Sequence, residues 1–318
     1  MDWFDPSLAL AGLGIGVIVG MTGMGGGALM TPVLVFFFNV NPLTAISSDL
    51  VVSLFMKPAG AIVHLRRKTV NLQLVTWLCF GSVPAAFCGV LVLQALPGGE
   101  SLNTALQRFL GIALLVATAG LVTRAWIGMV QYNRPFGEGP TRLVHAPDVV
   151  VRPVPTMVLG AAAGFMVGIT SVGAGSVIIV VLLMLYPAIK ASQLVGTDLV
   201  QAIPLVAAAS LAHLFYGDFS ATIAGSVLVG AIPGAWLGAQ FSTRAPGGLI
   251  RRALAVLLLA SGLKLLGASP AAVLISAIAA VLLGNVGWIL ARRRVIALAK
   301  LDAEALDPPH PPLDKRNL

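Results

Sequence analysis

The stretch GMTGMGGGALMTP, Gly20 to Pro32, interrupts an apolar run extending from about Leu8 to Phe38. It holds five glycines and two threonines, Thr22 and Thr31. Each glycine costs a helix about 1 kcal/mol relative to alanine, so an uninterrupted spanning helix is a poor reading of it. Non-helical backbone at membrane depth is tolerated only where protein buries it or where it lines a cavity. The stretch therefore predicts a broken helix with a purpose at the break.

Composition supports a membrane setting. Of the 318 residues, 58% are hydrophobic and 10% charged, and mean hydropathy is +0.94. A soluble domain carries about 25% charged residues. Several apolar runs approach the roughly 20 residues needed to cross the hydrocarbon. The chain reads as an all-α polytopic membrane protein. Asp2 and Asp5 stand where a removable signal peptide would have its positive region, so none is expected. Cys79 and Cys88 share one apolar run without metal-ligand spacing and read as packed thiols. No metal and no cofactor is expected.

The glycine stretch recurs. GVIVGMTGMGGGA from Gly16 aligns with GFMVGITSVGAGS from Gly164. After one extra residue, SSDLV from Ser47 aligns with GTDLV from Gly196, and His64 with His213. GSVPAAFCG from Gly81 then aligns with GAIPGAWLG from Gly230. The expected organisation is an N-terminal repeat over 1–126, a polar linker over 127–156 and a second repeat over 157–267. An extra transmembrane helix over 268–298 and a polar, Pro-rich tail over 299–318, expected to be disordered, complete it.

Spans are predicted at about 47–66, 71–96 and 105–126, and again at about 197–215, 220–242 and 250–267. The pieces 8–38 and 157–186 could each cross once or turn back as a hairpin. Cytoplasmic loops collect Lys and Arg. With hairpins, every Lys and Arg except Arg108, Lys264 and the intramembrane Lys57 falls on one side; with single crossings the division is weak. Hairpins are therefore expected, and they turn the second repeat upside down relative to the first. Arms of about 15 residues, or about 22 Å, favour re-entrant hairpins over full crossings. This gives two inverted-topology repeats, each a re-entrant Gly-rich helical hairpin plus three transmembrane helices. The N-terminus lies outside; linker and C-terminus are cytoplasmic, in a cell membrane.

The hairpin tips would bring two helix N-termini to the midplane, and such ends favour anions. The predicted substrate groups are Thr22, Gly23, Gly25, Gly26 and Gly27 with Thr170, Ser171, Gly173, Gly175 and Ser176. Lys57, deep in its span, supplies a cation, and Ser53 lies one turn before it. An intramembrane Lys is a functional residue by default, with a structural ion pair as the alternative. Ser48–Asp49 and Thr197–Asp198 read either as helix caps or as ion-coupling groups. His64 and His213 read as interfacial hydrogen-bonding residues or as gates, too far apart to share a metal. Gly12, Gly16 and Gly20, at four-residue spacing, read as helix-packing positions.

The paired Gly-rich hairpins, the GTD-type helix start, the following His and the repeated GxxPxxxxG (Gly81, Pro84, Gly89; Gly230, Pro233, Gly238) resemble the sulfite exporter TauE/SafE family from about Leu8 to Leu266. The SSD at Ser47 departs from the Gly-Thr-Ser-like start that is frequent in that family. The resemblance implies a permease for sulfite, sulfonates or other small organic anions. The leading expectation is a secondary transporter exporting a small sulfur-containing anion by alternating access. Proton- or sodium-coupled carboxylate transport is the alternative, followed by a channel or an intramembrane enzyme. No HExxH, GxSxG or paired-aspartate motif supports an enzyme. The expected partners are the anion and the bilayer, as monomer or homodimer. The +8 charge follows membrane sidedness, and no nucleic-acid partner is expected.

Overall fold

The computed structural model describes residues 4–22, 26–132, 150–172, 175–186, 189, 191–241 and 247–287. These form helices α1 (Pro6–Thr22), α2 (Gly27–Phe37), α3 (Pro42–Arg66), α4 (Leu72–Ala95) and α5 (Glu100–Tyr132). Then come α6 (Pro153–Thr170), α7 (Gly175–Leu185), α8 (Ala191–Tyr216), α9 (Ala221–Phe241) and α10 (Gly247–Leu265), followed by α11 (Pro270–Gly287). No strand occurs among the described residues. Among the described residues, six stretches are long and apolar enough to cross a bilayer: Leu72–Ala95, Glu100–Trp126, Pro153–Thr170, Gln193–Tyr216, Ala221–Gly238 and Pro270–Gly287. The protein is a multi-pass membrane protein.

The order α1–α5 returns as α6–α10, and the packing follows the same exchange. α1 lies along α9 as α6 lies along α4, α3 crosses α8, and α5 pairs with α10. The close pairs are built on glycine. A Cβ on Gly12, Gly16, Gly230, Gly234 or Gly238 would run into backbone across the α1–α9 contact. Gly160, Gly164, Gly168 and Gly81 do the same across α4–α6, and Gly89 meets the Phe165 carbonyl there. Small residues let membrane helices approach backbone to backbone. The GxxPxxxxG glycines are thus packing positions.

The halves share their interior. One apolar cluster joins Leu74 and Leu78 of α4 to Ile178 and Leu182 of α7 and Leu205 of α8. The other joins Met30 and Leu34 of α2 to Val227 of α9 and Leu254 of α10. Large apolar side chains such as Phe37, Trp126, Phe215 and Trp236 point outward, as a lipid-facing surface requires. α11 packs none of its length inside the bundle.

Helix ends show local chemistry. Asp5 caps α1: its carboxylate accepts from the Ser7 hydroxyl (2.5 Å) and amide (2.8 Å). These bonds, the hydroxyl first, hold the Asp5 carboxyl below the usual aspartate value. The cap is at full strength above the ordinary aspartate range and weakens as pH falls through its lowered value. Asn71 caps α4 by accepting from the Leu74 amide at 3.1 Å. Tyr186, just past α7, accepts from the Arg152 amide at 2.8 Å and pairs with Thr156 at 2.6 Å. It ties the end of α7 to the start of α6.

Three sequence expectations need correcting. The first arms, α1 and α6, have 17 and 18 residues, about 26 Å each, longer than expected; the second arms, α2 and α7, have 11. α3 and α8 begin at Pro42 and Ala191, because polar first turns extend the helices beyond their apolar windows. Cys88 is exposed on α4 whereas Cys79 is half-buried, so the packed-thiol reading fits Cys79 alone.

Candidate functional site

Gly26 and Gly27 open α2, and Gly175 opens α7. Gly27 sits directly under the Ser171 carbonyl, where a Cβ has no room, so a tip residue of one half touches the other half's tip. Ser171 ends α6 in the left-handed conformation, φ 55°, with its amide bonded to Val167 O at 2.8 Å. That turn directs the Ser171 hydroxyl into the bundle. Thr170 bonds its own helix through Met166 O at 2.7 Å. Gly23, Gly25 and Gly173 lie outside the described residues, as do 133–149 of the linker and all of 288–318. The side chains of Thr22 and Ser176 are also outside them.

Asp49 stands at the meeting point. It is 0% exposed, and its carboxylate accepts from Thr31 Oγ1 at 2.7 Å, Ser171 Oγ at 2.9 Å and Ser53 Oγ at 3.3 Å. Three helical elements from both halves thus converge on one buried charge. Ser53, expected to face substrate, points its hydroxyl at Asp49 instead.

The helix-cap reading of Asp49 and Asp198 is overturned. Each lies about two turns inside its helix. Asn41 takes the cap position of α3, with its side chain accepting from the Leu43 amide at 3.0 Å. Asp198 packs against the first residue of α7: a Cβ on Gly175 would lie 2.6 Å from Asp198 Oδ2. Gln201, buried one turn later, accepts from Ser82 at 3.2 Å and turns toward Asp198. Its amide nitrogen has no partner in good hydrogen-bond geometry among the described residues.

Lys57 is half-buried in the middle of α3. It lies in the electrostatic field of both carboxylates, and the attraction to Asp198 is the larger. Asp198 also lies in the field of Arg124 on α5. The second half has Val206 at the position of Lys57.

Among the remaining predicted residues, Thr197 accepts from the Asn71 amide at 3.1 Å. Ser48 Oγ is buried with no partner among the described residues. His213 is fully buried, with Nδ1 2.9 Å from Ser47 Oγ and Nε2 2.8 Å from Gly168 O. It serves a carbonyl orphaned at the end of α6. His64 pairs with Thr69 Oγ1 at 2.9 Å within its own turn. The sequence reading missed Gln201 and the field of Arg124. Gln201 had a signal, as a lone polar residue in LVQAIPLV.

Comparison with known proteins agrees with this architecture. The family model described as "Sulfite exporter TauE/SafE" matches residues 8–265. "Probable membrane transporter protein YjnA" of Bacillus subtilis (strain 168) is 34% identical over 261 residues, covering 82% of this chain and 99% of that protein. "Probable membrane transporter protein YdhB" of the same organism is 28% identical over 258 residues, 79% and 96% of the two chains. No solved structure matches. With Ser171 of one half bonded to Asp49 of the other, the chain belongs to the sulfite exporter TauE/SafE family of membrane transporters.

Proposed function

We propose that the protein is a secondary transporter that exports a small sulfur-containing anion, sulfite or an organosulfonate, by alternating access. The anion is held between the two glycine-rich tips with Lys57 as its counter-charge. The observation that carries this reading is Lys57 itself: an ammonium in the middle of α3, in the field of Asp49 and of Asp198, which packs against the first residue of α7. Such a charge opposes insertion by about 2.5–3.5 kcal/mol, a cost that a binding role explains. The anion class is drawn from the description of the family as sulfite exporters.

In this reading the halves are inverted repeats and the short helix pairs are re-entrant hairpins. The tie between Tyr186 and Arg152 supports it, since both open ends of the α6–α7 pair lie together. Lys264, near the end of α10, lies 4.3 Å over the Phe36 ring near the end of α2, which fits both ends facing outside. The basic linker and tail are cytoplasmic. Export of an anion down an inside-negative potential gains about 2.3 kcal/mol per charge per 100 mV, so export does not itself demand a coupling ion.

The test is a thermal-stability screen of purified protein against sulfite, thiosulfate, sulfonates, sulfate and carboxylates, repeated on Lys57→Met. Stabilisation by a sulfur anion that Lys57→Met abolishes is the expected result. Stabilisation by carboxylates alone would move the substrate class, and unchanged anion binding by Lys57→Met would remove Lys57 from the site.

A further inference from the structure

The two intramembrane aspartates occupy equivalent sequence positions but unequal surroundings. Around Asp49 stand the hydroxyls of Thr31, Ser53 and Ser171. The residues that align with these in the other repeat are Ile179, Ala202 and Gly23, none of which has a side-chain donor. Asp198 has instead the opening residue of α7 against its Oδ2 and the cations Lys57 and Arg124. A helix N-terminus and an ammonium are the groups a bound anion would use. Asp198 lies against the first and in the field of the second.

We infer that Asp198 is a tethered anion standing in the substrate's place, and that a transported anion replaces it at Lys57 only as Asp198 takes up a proton. This rests on the anion site proposed above and adds its coupling ion. A proton from water binds one Asp198 carboxylate oxygen; the neutral acid releases Lys57 and the end of α7 to the incoming anion. When the anion leaves, Asp198 loses the proton and returns to Lys57. Proton and anion therefore travel together, so a divalent anion still moves one net charge with the potential and a monovalent anion moves none. Asp49, satisfied by three hydroxyls, stays out of the cycle.

The groups around Asp198 leave few rivals for this titration among the described residues. α3 presents Lys57 and Asp49, with His64 beside Gly196 two residues earlier on α8. α5 contributes Arg124, and α4 brings Cys79 to the Gln201 carbonyl at 3.9 Å. α6 and α7 carry no titratable side chain. On α8 itself, His213 is committed to Ser47 and Gly168.

The test uses the purified full chain with thiosulfate and ethanesulfonate, whose own charges stay fixed from about pH 5 to about pH 8. Binding to wild type should tighten with falling pH, approaching about tenfold per pH unit, with about one proton taken up per anion in weakly buffered solution. Asp198→Asn should bind with no pH slope, and Asp49→Asn should keep the slope. Lys57-dependent binding with no proton uptake by wild type would overturn the coupling while leaving the anion site standing. An unchanged slope in Asp198→Asn would do the same. If Asp198→Asn does not fold, wild-type proton uptake decides alone. Failure of both probes to bind at any pH, or undiminished binding by Lys57→Met, would overturn the anion site and this inference together.

Discussion

Ser171 and Asp49, from opposite halves of the chain, meet at 2.9 Å with the carboxylate wholly buried. The hydroxyl at the tip of the second glycine stretch is thereby bonded to the first half's long helix. A hydrogen bond to a charged group contributes about 1.5–3 kcal/mol, and a buried charge that loses one is strongly penalised. Ser171→Ala should lower the melting temperature in detergent, as should Thr31→Val. Asp49→Asn, which keeps an acceptor oxygen, should cost less than Asp49→Ala. Equal melting temperatures for Ser171→Ala and wild type would show that this contact does not hold the tips together.

Adjacent glycines at the first tip should respond differently. A Cβ on Gly26 finds its nearest neighbour, Ser53 Oγ, at 3.8 Å, whereas a Cβ on Gly27 strikes the Ser171 carbonyl. Gly26→Ala should fold normally, so any loss of anion transport by it reports on the site. Gly27→Ala should lower stability, because the opposing group is backbone and cannot move aside. Size-exclusion profiles and melting curves on paired preparations check this.

Packing glycines should be less forgiving than Gly26 at the tip. Gly164→Leu and Gly230→Leu insert side chains into backbone contacts with Ser82 and Ala9, and overpacking costs about 1–3 kcal/mol or more. Both should reduce folded yield sharply. Gly14→Ala, with no atom within 4 Å of its new Cβ, should express as wild type.

Replacement of Lys57 by Arg should impair anion binding while the protein still folds. A planar guanidinium does not reproduce a compact ammonium in a shaped site. Binding by Lys57→Arg equal to wild type would reduce Lys57 to a nonspecific positive charge.

The proposed orientation is open to cysteine labelling. In a background with Cys79 and Cys88 replaced, single cysteines placed in 127–156 should react with an impermeant maleimide only after permeabilisation. Labelling in intact cells would overturn the inverted topology.

Periodicity, apolar run length and the recurrence of GMTGMGGGA as GITSVGAGS determined the helical membrane class, the duplication and the approximate helices. These are local properties: hydrophobic length sets spans, and glycine marks where a helix breaks. Lys57 was legible for the same reason, since a charge in an apolar run has no bland place to go. Sequence alone could not decide what Asp49 and Asp198 do, because their local contexts, SSDLV and GTDLV, are nearly the same. Only the tertiary structure put Thr31 and Ser171 around the first, and Gly175 beside the second in the field of Lys57. Hydrogen bonds and Coulombic attraction depend on how the fold places residues that are distant in sequence, as Ser171 and Asp49 are. Helix propensity carries no such information.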